Sequence, residues 1–314
     1  MAAFSNAIEA RGLTRAFRDI VAVDDVDLTV PAGGLFGLVG PDGAGKSTLI
    51  RMLATVIEPS AGDALVLGDS VVTGPDPIKS NIGYMSQRFS LYPDLTVAEN
   101  LDFYAELRGV PRAEKAERAR RLLAFAGLTG FEKRQAQFLS GGMKQKLALA
   151  ATLIHEPAVI FLDEPTTGVD PVSRREFWRI LAGLHRRGIT IVVATPYMDE
   201  AERCTEVAFM DAGRILLKDT VDGIKSRVDG RLVEVTVGDY HAAMPIARAL
   251  PFVRSVDLYG ETLQVVVSEG SSAGERDVAD ALRRAGVEVS RVRTAEVSME
   301  VAFARIMAGA EAGR

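Results

Sequence analysis

The sequence predicts an α/β core that carries an antiparallel β subdomain and a helical insert, with a smaller α+β unit behind it. Three observations predict this. Short apolar runs alternate with helical periods through residues 20–218. A charged, helix-periodic stretch without β-branched runs occupies 81–157. After residue 231 the order becomes strand, helix, strand, strand, helix, strand.

In chain order, residues 20–30 alternate apolar and acidic positions, as an antiparallel strand with one wet face should. The continuous apolar run at 35–39 reads as a buried parallel strand, followed by a helix over 46–54. Helices at 95–108 and 113–126 belong to the insert. The core resumes with strands at 159–162 and 189–194 and a helix at 172–187. The second unit is expected to contain a strand at 232–237, a helix at 241–250 and a hairpin of 253–258 with 262–267. A helix at 277–285 and a strand at 287–292 complete a split, ferredoxin-like βαββαβ unit. A final helix is expected at 298–307, and the Gly/Ser-rich loop at 270–274 suggests no function.

At 314 residues the length suggests about two domains, expected at 1–230 (insert about 88–157) and 231–314. A hydrophobic fraction of 47% with 25% charged residues is ordinary for a globular protein. The net charge of -5 offers no basic face for nucleic acid and reads as solubility. Cys204 is the only cysteine, so no intramolecular disulfide is expected and a reducing cytosol fits. It reads as a small core residue on a helix. His155, His185 and His241 are scattered and form no metal-ligand pattern. No secretory signal pattern opens the chain, and no apolar run approaches the roughly 18 residues that span a bilayer. A pore, if one is served, is expected on another chain.

Three segments carry chemistry. Gly40-Pro41-Asp42-Gly43-Ala44-Gly45-Lys46-Ser47-Thr48 matches the phosphate-loop pattern, between an expected strand and an expected helix. Its glycines let backbone N–H groups turn toward phosphate oxygens, Lys46 reaches the β- and γ-phosphates, and Ser47 offers a hydroxyl to Mg²⁺. Asp163 and Glu164 end an apolar strand, at the carboxyl edge of the sheet where α/β ligands bind. Leu139-Ser140-Gly141-Gly142-Met143-Lys144-Gln145 opens a helix whose N–H groups, dipole and hydroxyl suit an anion. Taken alone, this last segment is merely a helix cap.

In this order the three segments resemble ATP-binding subunits of the ABC family, over roughly residues 4–218. The resemblance implies a P-loop NTPase core of the ABC type that binds ATP and Mg²⁺. It makes Asp163 a Mg²⁺ ligand, through water, and Glu164 the general base that polarises the attacking water. Ser140, Gly141 and Gly142 would meet the γ-phosphate of ATP held by another subunit, so that two subunits sandwich two nucleotides. Phe17 would stack on adenine; otherwise it is a core aromatic. Gln87 resembles the glutamine that senses Mg²⁺ and water, and Asp170 the aspartate that crosses the dimer interface; otherwise both are polar loop residues.

One position departs from the family. Where a histidine usually contacts the γ-phosphate, the sequence reads Ala194-Thr195-Pro196-Tyr197-Met198. Proline has neither a side-chain donor nor an N–H, so ATP binding and closure should persist while hydrolysis slows. The other reading is that Pro196 starts the next helix and another group compensates. Thr195 to Met198 and Asp42 are similar to the first half of tandem ATPases of the YbhF type, which serve multidrug exporters. No second phosphate loop follows residue 218. A single-core relative, a homodimer of impaired sites or one half of a heterodimer are therefore all open.

Residues 139–147 and 86–99 resemble the multidrug and polyketide-antibiotic exporter branch. That branch implies a cytoplasmic ATPase, peripheral on the inner face of the membrane, which powers separate integral membrane permease subunits. Residues 88–101, with Phe89, Leu91 and Tyr92, would be the docking surface; alternatively these side chains pack into the insert. Val297-Ser298-Met299-Glu300-Val301-Ala302-Phe303 resembles the Leu-Glu-Asp-x-Phe helix start of the branch, departing at Val301-Ala302. The C-terminal unit lacks the aromatic pair and basic patch of RNA-binding sheets, which favours dimer support or regulation. The rival reading is a soluble ABC ATPase regulating a macromolecular machine. Tandem cores or long coiled-coil inserts would favour it, and the sequence shows neither.

Overall fold

The computed structural model describes residues 5–87, 91–228, 230–268 and 274–304. It separates into two compact units, Met1–Val221 and Asp222–Arg314.

In the first unit, β1 (Asn6–Phe17) and β2 (Ile20–Pro31) form an antiparallel hairpin. Val23, Val26, Leu28 and Val30 point inward while the acidic positions face water, the alternation that a one-sided strand requires. β1 also pairs with β4 (Ala61–Val66), which pairs with β5 (Asp69–Ser70), giving the order β2-β1-β4-β5.

The central sheet begins with β3 (Leu35–Val39), buried along its whole length because both faces are covered. β3 runs into α1 (Lys46–Leu53); α2 (Pro75–Asn81) precedes β6 (Ile82–Met85). After the insert come β7 (Val159–Asp163), α6 (Pro171–His185), β8 (Thr190–Thr195), α7 (Met198–Ala201), β9 (Glu206–Asp211) and β10 (Arg214–Thr220). The sheet order is β10-β9-β3-β8-β7-β6, parallel except for the antiparallel edge strand β10. The catalytic candidates thus stand at the carboxyl ends of the central strands β3 and β7.

The insert holds α3 (Val97–Leu107), α4 (Arg112–Ala126) and α5 (Gly141–Leu153), packed around Val97, Leu101, Leu123, Leu128 and Leu147. α3 starts at Val97 rather than 95 because Thr96 caps it: the Thr96 hydroxyl accepts from the Glu99 N–H, and the Glu99 carboxylate accepts from the Thr96 N–H. The stretch expected to be helical from 81 opens instead with β6, which pairs in parallel with β7. Four residues are too short a run to show a period. Leu91 packs partly buried against the insert core, whereas Tyr92 is 45% exposed and meets the Phe103 ring edge-on. Arg88 and Phe89 lie outside the described residues.

The second unit contains α8 (Val221–Ser226, which begins at the last residue of the first), β11 (Arg231–Val237), α9 (Tyr240–Arg248), β12 (Val253–Tyr259), β13 (Thr262–Val267), α10 (Glu275–Arg284) and β14 (Val289–Ala295). Its strands are ordered β12-β13-β11-β14 and pair antiparallel throughout. Val233, Val235, Leu263 and Val265 form a core with Ala243 and Ala247 of α9 and Val278 and Leu282 of α10. β14 starts later than the expected 287 because Gly286 turns left-handed (φ +82°) and the Val287 N–H closes α10 onto the Leu282 carbonyl. Helix is described at 299–304; residues 305–307 of the expected final helix and 270–273 of the Gly/Ser loop lie outside the described residues. Among the described residues, no helix is long and apolar enough to cross a membrane.

Candidate nucleotide site

The loop after β3 is pinned by two glycines. A Cβ on Gly40 would lie 2.0 Å from the Met210 carbonyl oxygen, and one on Gly45 (φ +102°) 2.2 Å from that of Ala22. Both positions therefore serve close packing against β2 and β9, a demand additional to the phosphate contacts that the sequence pattern suggests. Lys46, the first residue of α1, is buried and donates from Nζ to the carbonyls of Gly40 and Pro41, each at 2.8 Å. Burial lowers its pKa, opposed by the negative charges of Glu164, Asp42 and Asp163.

Strand β7 delivers the acidic pair. Asp163 is 0% exposed, and its Oδ1 accepts from the Ser47 hydroxyl at 2.6 Å. Its Oδ2 has no hydrogen-bond partner among the described residues, with the Arg51 guanidinium 3.8 Å away. Glu164 has a left-handed backbone (φ +48°), a conformation costly for a non-glycine residue and concentrated at functional sites. Its N–H donates to the Ala194 carbonyl at 2.9 Å. Its Oε2 accepts from Gln87 Nε2 at 2.9 Å and from Thr167 Oγ1 at 3.1 Å.

Lys46, Ser47, Gln87, Asp163 and Glu164 are thus brought together by contact and charge. Ser140, Gly141, Gly142, Asp170 and Phe17 lie on other elements. Exposed Ser140 caps α5, its Oγ accepting from the Met143 N–H at 3.3 Å. Gly141 is exposed, but Gly142 is buried where a Cβ would lie 2.3 Å from the Ser173 hydroxyl oxygen. Asp170 caps α6, accepting from the N–H groups of Val172 and Ser173. Hydrogen bonds from Ser173 hold its carboxyl below the usual range. Phe17 is 44% exposed, with the Arg15 guanidinium 4.6 Å from its ring centre. Cys204 sits buried just past α7, where burial pushes its thiol up.

Sequence reasoning missed Arg51 and Thr167. Arg51 lies four residues beyond Ser47, one helical turn along the same face, so the helix period held that signal. Thr167 follows Glu164 by three residues in a loop, a spacing that carries no such signal.

A glycine loop opening a helix, with a lysine and hydroxyl facing a buried strand-end carboxylate, defines a P-loop nucleotide site. Comparison with known proteins agrees. The ABC transporter family model matches residues 23–167. The chain is 35% identical over 303 residues to the daunorubicin/doxorubicin resistance ATP-binding protein DrrA of Streptomyces peucetius, covering 95% of this chain and 92% of DrrA. It is 39% identical over 307 residues to the probable multidrug ABC transporter ATP-binding protein YbhF of Escherichia coli (strain K12), covering 96% of this chain but 52% of YbhF. The chain thus spans about half the length of that relative. Among solved structures, cbiO1 from Clostridium perfringens, part of the ABC transporter complex cbiONQ, matches with a TM-score of 0.65 and 27% identity over 72% of this chain and 94% of cbiO1. The ATP-binding cassette MJ0796, a dimer in a post-hydrolysis state with ADP and Pi, matches with a TM-score of 0.62 and 25% identity over 68% of this chain and 98% of that one. The chain belongs to the ABC transporter family and carries the fold of its ATP-binding cassettes.

Proposed function

We propose that this chain is the ATP-binding and hydrolysing subunit of a multidrug-type exporter. It lies peripherally on the inner face of the membrane and drives separate permease subunits through ATP-sandwiched pairing of two cassettes, identical or different. The observation that carries this reading is the Lys46–Ser47–Asp163–Glu164–Gln87 cluster at or beyond the ends of β3, β6 and β7, in a chain alike to DrrA over nearly its whole length.

The donor set fits Mg²⁺, which prefers hard oxygens and few protein ligands: a hydroxyl beside a buried carboxylate with one oxygen left unbonded. Ser47 and Asp163 would hold it, with Gln87 nearby; bound Mg²⁺ neutralises charge on the phosphates. The N–H groups of residues 42–48 cradle the phosphates, with Gly43 and Ala44 at the turn, Thr48 in the first turn of α1 and Lys46 adding positive charge. Phe17 stacks on adenine. Glu164 orients and deprotonates the attacking water, and Gln87, hydrogen-bonded to it, reports the filled site to the insert. The Ser140-Gly141-Gly142 helix start caps the ATP of the opposing cassette, and Asp170 crosses between them. The division into a cassette and a C-terminal accessory domain belongs to this reading.

Two outcomes are expected. Lys46→Ala should weaken ATP affinity about 10- to 100-fold, the worth of a charge-assisted phosphate contact, while the fold survives; equilibrium binding of a fluorescent ATP analogue checks this. Tagged protein purified from detergent-solubilised membranes should bring with it a chain of about six apolar spans, each of about 20 residues. Recovery with ribosomes, DNA or another soluble assembly instead would favour the regulatory reading.

A further inference from the structure

Helix α7 holds a carboxylate that the hydrolytic scheme leaves unused. Glu200 is 1% exposed. Its Oε1 accepts from the Thr166 hydroxyl, and its Oε2 accepts from Thr195 Oγ1 at 2.6 Å. Arg174 of α6 brings Nε within 3.7 Å of Oε1 and lays its guanidinium over the Tyr197 ring, 4.3 Å from the centre. The Thr195 hydroxyl also accepts from the Tyr197 N–H at 3.1 Å.

A buried carboxylate costs stability unless it is paired, and apolar residues of similar volume often serve packing better. This one joins three segments that each carry a functional position. Thr166 lies two residues past Glu164, Thr195 immediately precedes Pro196, and Arg174 follows the Asp170 cap of α6. The Glu164 N–H is already tied to Ala194, the neighbour of Thr195.

We propose that Glu200 is a positioning residue for hydrolysis: with Thr166, Thr195 and Arg174 it clamps the loop 164–170 to the end of β8. Glu164 and Asp170 are thereby held in register with Pro196, which follows that strand and has no side-chain donor of its own. The clamp acts through Glu164 and so rests on the reading of that residue as the general base.

The test is single-turnover hydrolysis, ATP affinity and melting temperature for Glu200→Gln, Thr195→Val and Thr195→Ser. Glu200→Gln should lower the hydrolysis rate about tenfold or more, as sub-ångström misplacement of a base does, with ATP affinity within about twofold of the parent. Thr195→Ser should retain most of the rate that Thr195→Val loses. A folded Glu200→Gln protein at the parent rate overturns the clamp, as does a matched loss of rate, affinity and melting temperature. Should Glu200→Gln not fold, the Thr195 pair decides: equal rates in Ser and Val overturn it. Glu164→Gln is the control. Parent-like turnover there removes the general-base reading itself, a result distinct from an inactive Glu164→Gln beside a fully active Glu200→Gln.

Discussion

Glu164→Gln is expected to bind ATP as the parent does and to hydrolyse it about two to four orders of magnitude more slowly, the usual worth of a positioned general base. The substitution keeps the side chain's length and one acceptor oxygen, so the bonds from Gln87 and Thr167 to Oε2 can be preserved while the basicity is lost. The left-handed backbone at 164 and its tie to Ala194 are untouched. ATP should therefore accumulate unhydrolysed between paired cassettes. With Mg-ATP, the variant should elute as a dimer on size exclusion, alone or mixed with its membrane partners. A monomer under both conditions would end the sandwich model.

Pro196→His is expected to raise turnover by about two to three orders of magnitude, the size of one preorganised donor's contribution. Pro196 follows the buried end of β8 at Thr195, and the Tyr197 N–H is anchored on the Thr195 hydroxyl, so the backbone on both sides is held. An imidazole placed there adds a donor without rebuilding the strand. Steady-state phosphate release from the two proteins, side by side, checks the expectation. A parent already turning over at the rate of histidine-bearing cassettes would show that another group supplies the contact.

What the sequence made legible and what it hid follow from one physical distinction. Features set by local backbone demand or strand burial were readable: the glycine loop before α1, the fully buried β3 and β7, and the acidic pair at the strand end. β6 was hidden because Ile82-Gly83-Tyr84-Met85 is short and contains a glycine that resembles a turn residue. The structure explains it differently: a Cβ on Gly83 would lie 2.5 Å from Thr152 Cγ2, so the glycine admits α5 against the sheet. Polar contacts between distant segments left no local pattern. The partners of Glu200 come from three separate elements and Gln87 lies 77 positions from Glu164, so neither arrangement has a period to detect.

The missing side chain at Gly142 has a mechanical consequence. α5 of the insert and α6 of the core approach so closely there that a single methyl would overlap Ser173. Ser140 and Asp170 cap the two helices that meet there, so one side chain added at position 142 would press on both helix starts at once.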